Sequence, residues 1–206
     1  MGVVHRRRSL RLPHYDYSRA GYYFITITAH NRAHLFGEIV GGEMVLNGAG
    51  RMIERLWHEI PHDFANIALH EFVVMPNHIH GIIQITKPHN TVGAESISAL
   101  DPASTHKHTV DQTPMIVHAP QRAEIDSVPT GTLKTNLSAV VQSFKRHTTL
   151  QYIHLVKTNQ LPPFHKRIWQ RNYYEHVIRD DADYVRIAEY IVNNPLTWVN
   201  DRLSTP

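Results

Sequence analysis

Phe72-Val73-Val74-Met75-Pro76-Asn77-His78-Ile79-His80-Gly81-Ile82-Ile83-Gln84-Ile85 is the stretch that decides the fold of this chain. Two apolar runs flank Pro76-Asn77, and proline belongs at a turn or an edge rather than inside a central strand. The stretch predicts two adjacent strands joined by a tight turn, with His78 opening the second, central one. Side chains alternate along a strand, so His78 and His80 share one face and Ile79 takes the other. Ile79 can then enter a core while both imidazoles aim at one point, which suits a metal ion.

Upstream, Gly21 to His30 is filled with aromatic and β-branched residues and reads as a strand. Leu35–Val40 and Glu43–Asn47 are short runs around Gly41-Gly42, a hairpin signal. From Asn47 the pattern turns helical, with Met52, Ile53, Leu56 and Trp57 at helical spacing, and Pro61 is expected to stop it. His58-Glu59-Ile60-Pro61-His62 has the two-histidine spacing of a zinc protease. That chemistry needs an unbroken helix, and the proline breaks it, so the match is rejected.

Downstream, residues 87–134 contain no Phe, Tyr or Trp and read as a long mobile insertion, with His106 and His108 as loop histidines. A helix is expected from Leu137 through Val140, Val141 and Phe144 toward Leu155. A polar-aromatic patch, Trp169-Gln170-Arg171-Asn172-Tyr173-Tyr174-Glu175-His176, follows. A last helix runs from Asp180 to Asn194, capped by Asp180 and Asp181 and ended by Pro195.

Composition narrows the chemistry. The chain has 206 residues and 42% hydrophobic content, enough for one domain with an insertion. With no cysteine, disulfides, thiol catalysis and thiolate zinc sites are excluded. No apolar run has the roughly 20 residues that span a bilayer, no signal peptide is expected, and a cytoplasmic location is. A formal net charge of +3 permits a polyanionic partner without requiring one. Arg6, Arg7, Arg8, Arg11, His14 and Arg19, interleaved with Tyr15 and Tyr17, form a basic arm over residues 1–20 that suits phosphates and unstacked bases; a solvated arm is the alternative.

A two-histidine site without cysteine needs another nucleophile or water. On the last helix Tyr184, Ile187, Ala188, Ile191 and Val192 form the apolar stripe, so Tyr184 reads as core. Tyr190 lies off it, with Asn194 one turn later. Tyr190 could set its phenol beside the metal while Asn194 supplies an amide oxygen. Equally, Tyr190 could be a surface tyrosine and Asn194 a helix-end residue.

Met75-Pro76-Asn77-His78-Ile79-His80-Gly81 resembles the His-hydrophobe-His motif of single-strand transposases. The 169–176 block and Glu189-Tyr190-Ile191-Val192-Asn193-Asn194-Pro195 resemble downstream blocks of the REP-associated tyrosine transposases. Arg7 to Leu12 and Phe36-Gly37-Glu38 are also similar. The resemblance covers most of the chain outside 87–134, making 21–206 one transposase-like domain with an insertion. It implies an α+β, ferredoxin-like sandwich: a central antiparallel sheet with helices on one face and the tyrosine helix across the sheet. It implies Tyr190 as nucleophile, His78, His80 and Asn194 as metal ligands, and Mg2+ or Mn2+ as the metal. The partner implied is single-stranded or hairpin DNA, nicked and rejoined through a 5′-phosphotyrosine, with Arg7, Arg8 and Arg11 contacting DNA and Lys145 and Arg171 its phosphates. Related transposases occur as monomers and dimers, so a homodimer stands open. Two other readings share these residues: a hairpin-DNA-binding protein with vestigial catalysis, and a metal-dependent hydrolase of small phosphoesters using water.

Overall fold

A computed structural model describes residues 15–87 and 135–204. Arg7, Arg8, Arg11, His14 and the insertion beyond Lys87 lie outside the described residues. In chain order the elements are β1 (Gly21–Thr28), β2 (Gly37–Val40), β3 (Glu43–Leu46), α1 (Gly48–His58), α2 (Ile60–Asp63), β4 (Ile67–Met75), β5 (His78–Ile85), α3 (Leu137–Lys157), β6 (Tyr174–Ile178) and α4 (Asp181–Asn193).

Local chemistry sets most boundaries. Gly41 and Gly42 supply the positive φ angles, 62° and 85°, that turn β2 into β3. Asn47 caps α1, its side-chain oxygen accepting from the Ala49 and Gly50 amides at 2.9 and 3.0 Å. Asn136 and Asp180 do the same for α3 and α4, the latter through the Asp183 amide. α1 ends at His58, and Pro61 sits in the first turn of the short α2, so the zinc-protease spacing is broken as expected.

The main sheet has the order β4-β5-β1-β6, with every neighbouring pair antiparallel. Taken in chain order, its strands form the ferredoxin-like arrangement, in which the first and third strands lie at the centre. β6 was not foreseen as a strand; it pairs Tyr174 to Ile178 with Thr26 to Tyr22.

One face carries Tyr23, Ile25, Ile27, Ile79 and Ile83 in a core with Trp57 of α1 and Val140, Val141 and Phe144 of α3. The other face carries Phe24 and Ile82 against Ile187 and Ile191 of α4. The two crossover helices thus share one face and α4 lies across the sheet. Ile79 is fully buried, worth about 1.5–3 kcal/mol. A one-residue slip of β5 would expose it and drive the histidines into the core, so the burial fixes the register. Gly81 is required for the same packing: a Cβ there would stand 2.5 Å from Cζ2 of Trp57, whose indole stacks on Phe72. No helix among the described residues is long and apolar enough to cross a membrane.

Candidate functional site

His78 and His80 project from central strand β5 toward α4, opposite Thr28 and Thr26 of β1. Both are almost wholly buried. Their Nε2 atoms face each other at 2.9 Å. The far side of each ring is held. Asn77 donates from Nδ2 to the Leu203 and Arg32 carbonyls at 2.7 and 3.1 Å. Its oxygen must therefore face His78, whose Nδ1 lies 2.8 Å away and donates to it, leaving Nε2 as a lone pair. His80 Nδ1 stands 2.8 Å from the Thr26 hydroxyl, which can donate or accept and so serves either tautomer. Burial pushes His78 down to about 4, opposed by the charge of Asp201. Burial, and then the neighbouring His78, hold His80 well below the usual histidine range. Both rings are neutral at neutral pH and can ligate a cation.

α4 delivers the two residues expected from it. The Tyr190 hydroxyl stands 3.2 Å from His80 Nε2, with its ring edge-on to Phe24 and to His80. Burial first, and then the charge of Asp201, raise its phenol above the ordinary value, while the Asn194 amide pulls the other way. Asn194 caps the C-terminus of α4 and is buried, and its Oδ1 accepts no hydrogen bond from any described residue. The buried stripe of α4 runs Ile187–Ile191–Asn194, so Val192, expected on it, is instead 66% exposed. Tyr184, expected in the core, is half-buried and bonds His70 Nδ1 and Glu71 Oε2 at 3.0 and 2.7 Å.

The segment after α4 adds a donor that the sequence reading missed. A turn at Trp198–Asn200 brings Asp201 Oδ2 to 3.9 Å from His78 Nε2 and 3.4 Å from Asn194 Nδ2. Among the described residues, His78, His80 and Asp201 form a group whose ligand atoms all lie within 4.8 Å of one another, able to hold a metal ion. The segment is pinned by Asn77 on the Leu203 carbonyl and by Arg32 on the Arg202 carbonyl at 3.2 Å. Asp201 follows Asn194 by seven residues, but beyond Pro195 no periodicity relates the two. The only available signal was a carboxylate shortly after the helix that carries the tyrosine.

The expected phosphate contacts are placed apart from this group. Lys145 Nζ donates to the carbonyls of Gln170, Asn172 and Arg171 at 2.9, 3.1 and 3.3 Å, so its three hydrogens are engaged within the chain; burial lowers it to about 8. Arg171 is exposed beside it. A cavity of about 770 Å³ opens over the site, bounded by His80, Tyr190, Asn194 and Asp201 and reaching Tyr174 and Arg186.

No family model matches the sequence. An uncharacterized protein of Haemophilus influenzae (strain Rd) is 35% identical over 200 residues, covering 97% of this chain and 94% of its own. The chain belongs to that protein's family. A solved structure of a REP-associated tyrosine transposase bound to a REP hairpin aligns with a TM-score of 0.50 and 17% identity, over 91% of this chain and 73% of that one. At this identity the likeness shows the fold alone, and the chain's antiparallel sheet of four strands with helices is consistent with it.

Proposed function

We propose that this protein is a metal-dependent single-strand DNA transposase or endonuclease that nicks and rejoins hairpin-forming repeat DNA. One observation carries the reading: the Tyr190 phenol oxygen stands 3.2 Å from His80 Nε2, at the edge of a buried donor cluster drawn from β5, α4 and the segment after it. A water-using hydrolase would need no phenol there.

The donors fit a divalent cation; by softness imidazoles suit several transition metals, and it is the family resemblance that points to Mg2+ or Mn2+. The two Nε2 atoms, 2.9 Å apart, meet either through the proton of one neutral ring or through a cation in its place, and the Thr26 hydroxyl lets His80 carry its proton on Nδ1 and leave Nε2 to the cation. The buried Asn194 oxygen, which has no donor among the described residues, is a further oxygen that a cation would satisfy. His78 Nε2, His80 Nε2, the Asp201 carboxylate and Asn194 Oδ1 would hold it. When bound, such an ion offsets negative charge on phosphate oxygens.

Tyr190 is the nucleophile. Its oxygen forms a bond to a backbone phosphorus while the bond to the 3′ oxygen breaks. The phenol loses a proton and the departing 3′-hydroxyl gains one. The product is a 5′-phosphotyrosine, and because one phosphoester replaces another, a 3′-hydroxyl can reverse the step without ATP. Tyr190, Asn194, Asp201 and both histidines are brought together within this chain. In this proposal Arg7, Arg8 and Arg11 contact the short DNA sequence at the foot of the hairpin and Arg171 a phosphate, with Lys145 contributing charge where it bonds the carbonyls of residues 170–172.

A labelled hairpin oligonucleotide incubated with Mn2+ or Mg2+ tests the proposal. A covalent species should appear with wild type and vanish in Tyr190→Phe. An adduct that persists in Tyr190→Phe refutes the assignment, and binding without an adduct in either metal favours a hairpin-binding protein.

A further inference from the structure

Tyr174 stands outside the machinery just described. It opens β6, the edge strand of the sheet, and β1 pairs it with Thr26, which in turn pairs with His80. His80, Thr26 and Tyr174 therefore form one row across the sheet on the α4 face, running from the metal donors to the open edge. The Tyr174 side chain is 50% exposed, although its ring packs edge-on to Phe24 at 6.2 Å. Phe24 is buried and also meets the Tyr190 ring edge-on at 6.1 Å. Phe24 is thus the floor of a slot with a half-exposed tyrosine on each side.

The slot is part of the cavity over the site. Its volume, about 770 Å³, falls within the roughly 300–1,000 Å³ typical of small-ligand pockets. The rim beyond Tyr174 is polar. His176 bonds Asp183 at 2.7 Å, Arg186 pairs with the same carboxylate, and Arg186 remains largely exposed. An apolar floor, an exposed aromatic ring and a guanidinium at the rim match an unpaired nucleotide: base to the ring, phosphate to the cation.

We propose that Tyr174 is a stacking platform for an unpaired DNA base next to the phosphate that Tyr190 attacks. The inference rests on the proposed strand-cleaving function and adds to it a subsite that holds single-stranded DNA. Stacking does not depend on base identity, so this subsite positions the strand without reading its sequence. A duplex cannot use it, because its bases are already stacked on one another. The site therefore prefers DNA that is unpaired where it is cut.

Anisotropy of labelled single-stranded oligothymidylate tests the platform in the full-length protein. Tyr174→Ala should weaken binding roughly 5- to 150-fold, the range for one lost base–aromatic stack. Tyr174→Phe, which keeps the ring, should bind close to wild type, and thermal melting of both variants checks that the fold is intact. The salt slope should be the same in wild type and Tyr174→Ala, since no phosphate contact is removed. A strand carrying 5-iodouracil should crosslink on irradiation to the peptide containing residue 174.

Unchanged affinity in Tyr174→Ala, or an equal loss in Tyr174→Phe, overturns the platform. The hairpin adduct assay separates the two proposals. Adduct formation together with no dependence on Tyr174 sinks the platform alone. Dependence on Tyr174 without adduct sinks strand cleavage alone. Failure to bind single strands at all sinks both.

Discussion

Replacing Asn77 by alanine should weaken metal binding at the proposed centre without touching a proposed ligand atom. Asn77 is fully buried and its side chain makes three hydrogen bonds: two from Nδ2 to the Arg32 and Leu203 carbonyls, and one to its oxygen from His78 Nδ1. The first two hold the amide in place. The third fixes the proton of His78 on Nδ1 and so keeps Nε2 free to bind a cation. Alanine leaves the His78 ring free to rotate or to place its proton on Nε2. Hydrogen-bond partners of metal-bound histidines typically contribute about 10- to 100-fold in affinity, and that is the expected loss. The Leu203 bond also anchors the segment carrying Asp201, so the loss should fall at the upper end of the range. Isothermal titration with Mn2+ measures it, and Asn77→Asp separates the two effects. Aspartate keeps an acceptor for His78 but sets an oxygen against two carbonyls, so it should loosen the segment after α4 while preserving the ring. Its Mn2+ affinity should lie between wild type and alanine. If Asn77→Ala melts at a lower temperature yet binds Mn2+ as tightly as wild type, the orienting role is wrong.

Asp201→Asn keeps the shape of the side chain and removes its charge; Mn2+ affinity should fall by more than the roughly 10-fold lower limit for an outer partner, and an unchanged titration would exclude Asp201 as a donor. Gly81→Ala puts a methyl 2.5 Å from Trp57 and should cost about 1–3 kcal/mol, read as a lower urea midpoint at unchanged slope. Lys145→Met leaves the carbonyls of residues 170–172 without their donor and should cost about 1–3 kcal/mol, a drop of several degrees in Tm; an unchanged Tm would show that those carbonyls do not need it. Asp183 is held below the ordinary carboxylate value, first by its bond to His176 and further by Arg186. A depressed carboxyl contributes stability that is present above its unfolded value and lost as pH falls through its folded one. Asp183→Asn should therefore lower stability at neutral pH and narrow the gap to wild type as acid is added, as followed by urea melts across that range; a gap that does not narrow would refute the linkage.

The parts of the fold that local pattern controls were legible. The His78-Ile79-His80 alternation, the Gly41-Gly42 turn, the Pro76-Asn77 turn, the helix start after Asn47 and the Asp180 cap each act within a few residues, and each has its expected place. β6 was not legible. Tyr174-Glu175-His176-Val177-Ile178 carries too little alternation, and pairing with β1 makes it a strand. Val192 shows the same limit on α4: spacing defines a stripe, but packing decides which edge of it is covered, and here the covered edge turns toward Asn194. Asp201 reaches the histidines through a turn after Pro195 that is held by hydrogen bonds to residues 32 and 77. No window of sequence contains that relation. The carbonyl partners of Lys145, expected to be a phosphate contact, were not legible because they lie 25 to 27 residues away.

The groups that build this site are divided unevenly along the chain. Thr26, Asn77, His78 and His80 come early, whereas Tyr190, Asn194, Asp201 and the Leu203 carbonyl all come within the last stretch. A chain still emerging from the ribosome can form the β1–β5 pairing and present both imidazoles while having neither phenol nor carboxylate to set beside them. In the proposed chemistry the nucleophile and the carboxylate are therefore synthesised after both imidazoles, and a product truncated before α4 would carry the histidines without Tyr190 or Asp201.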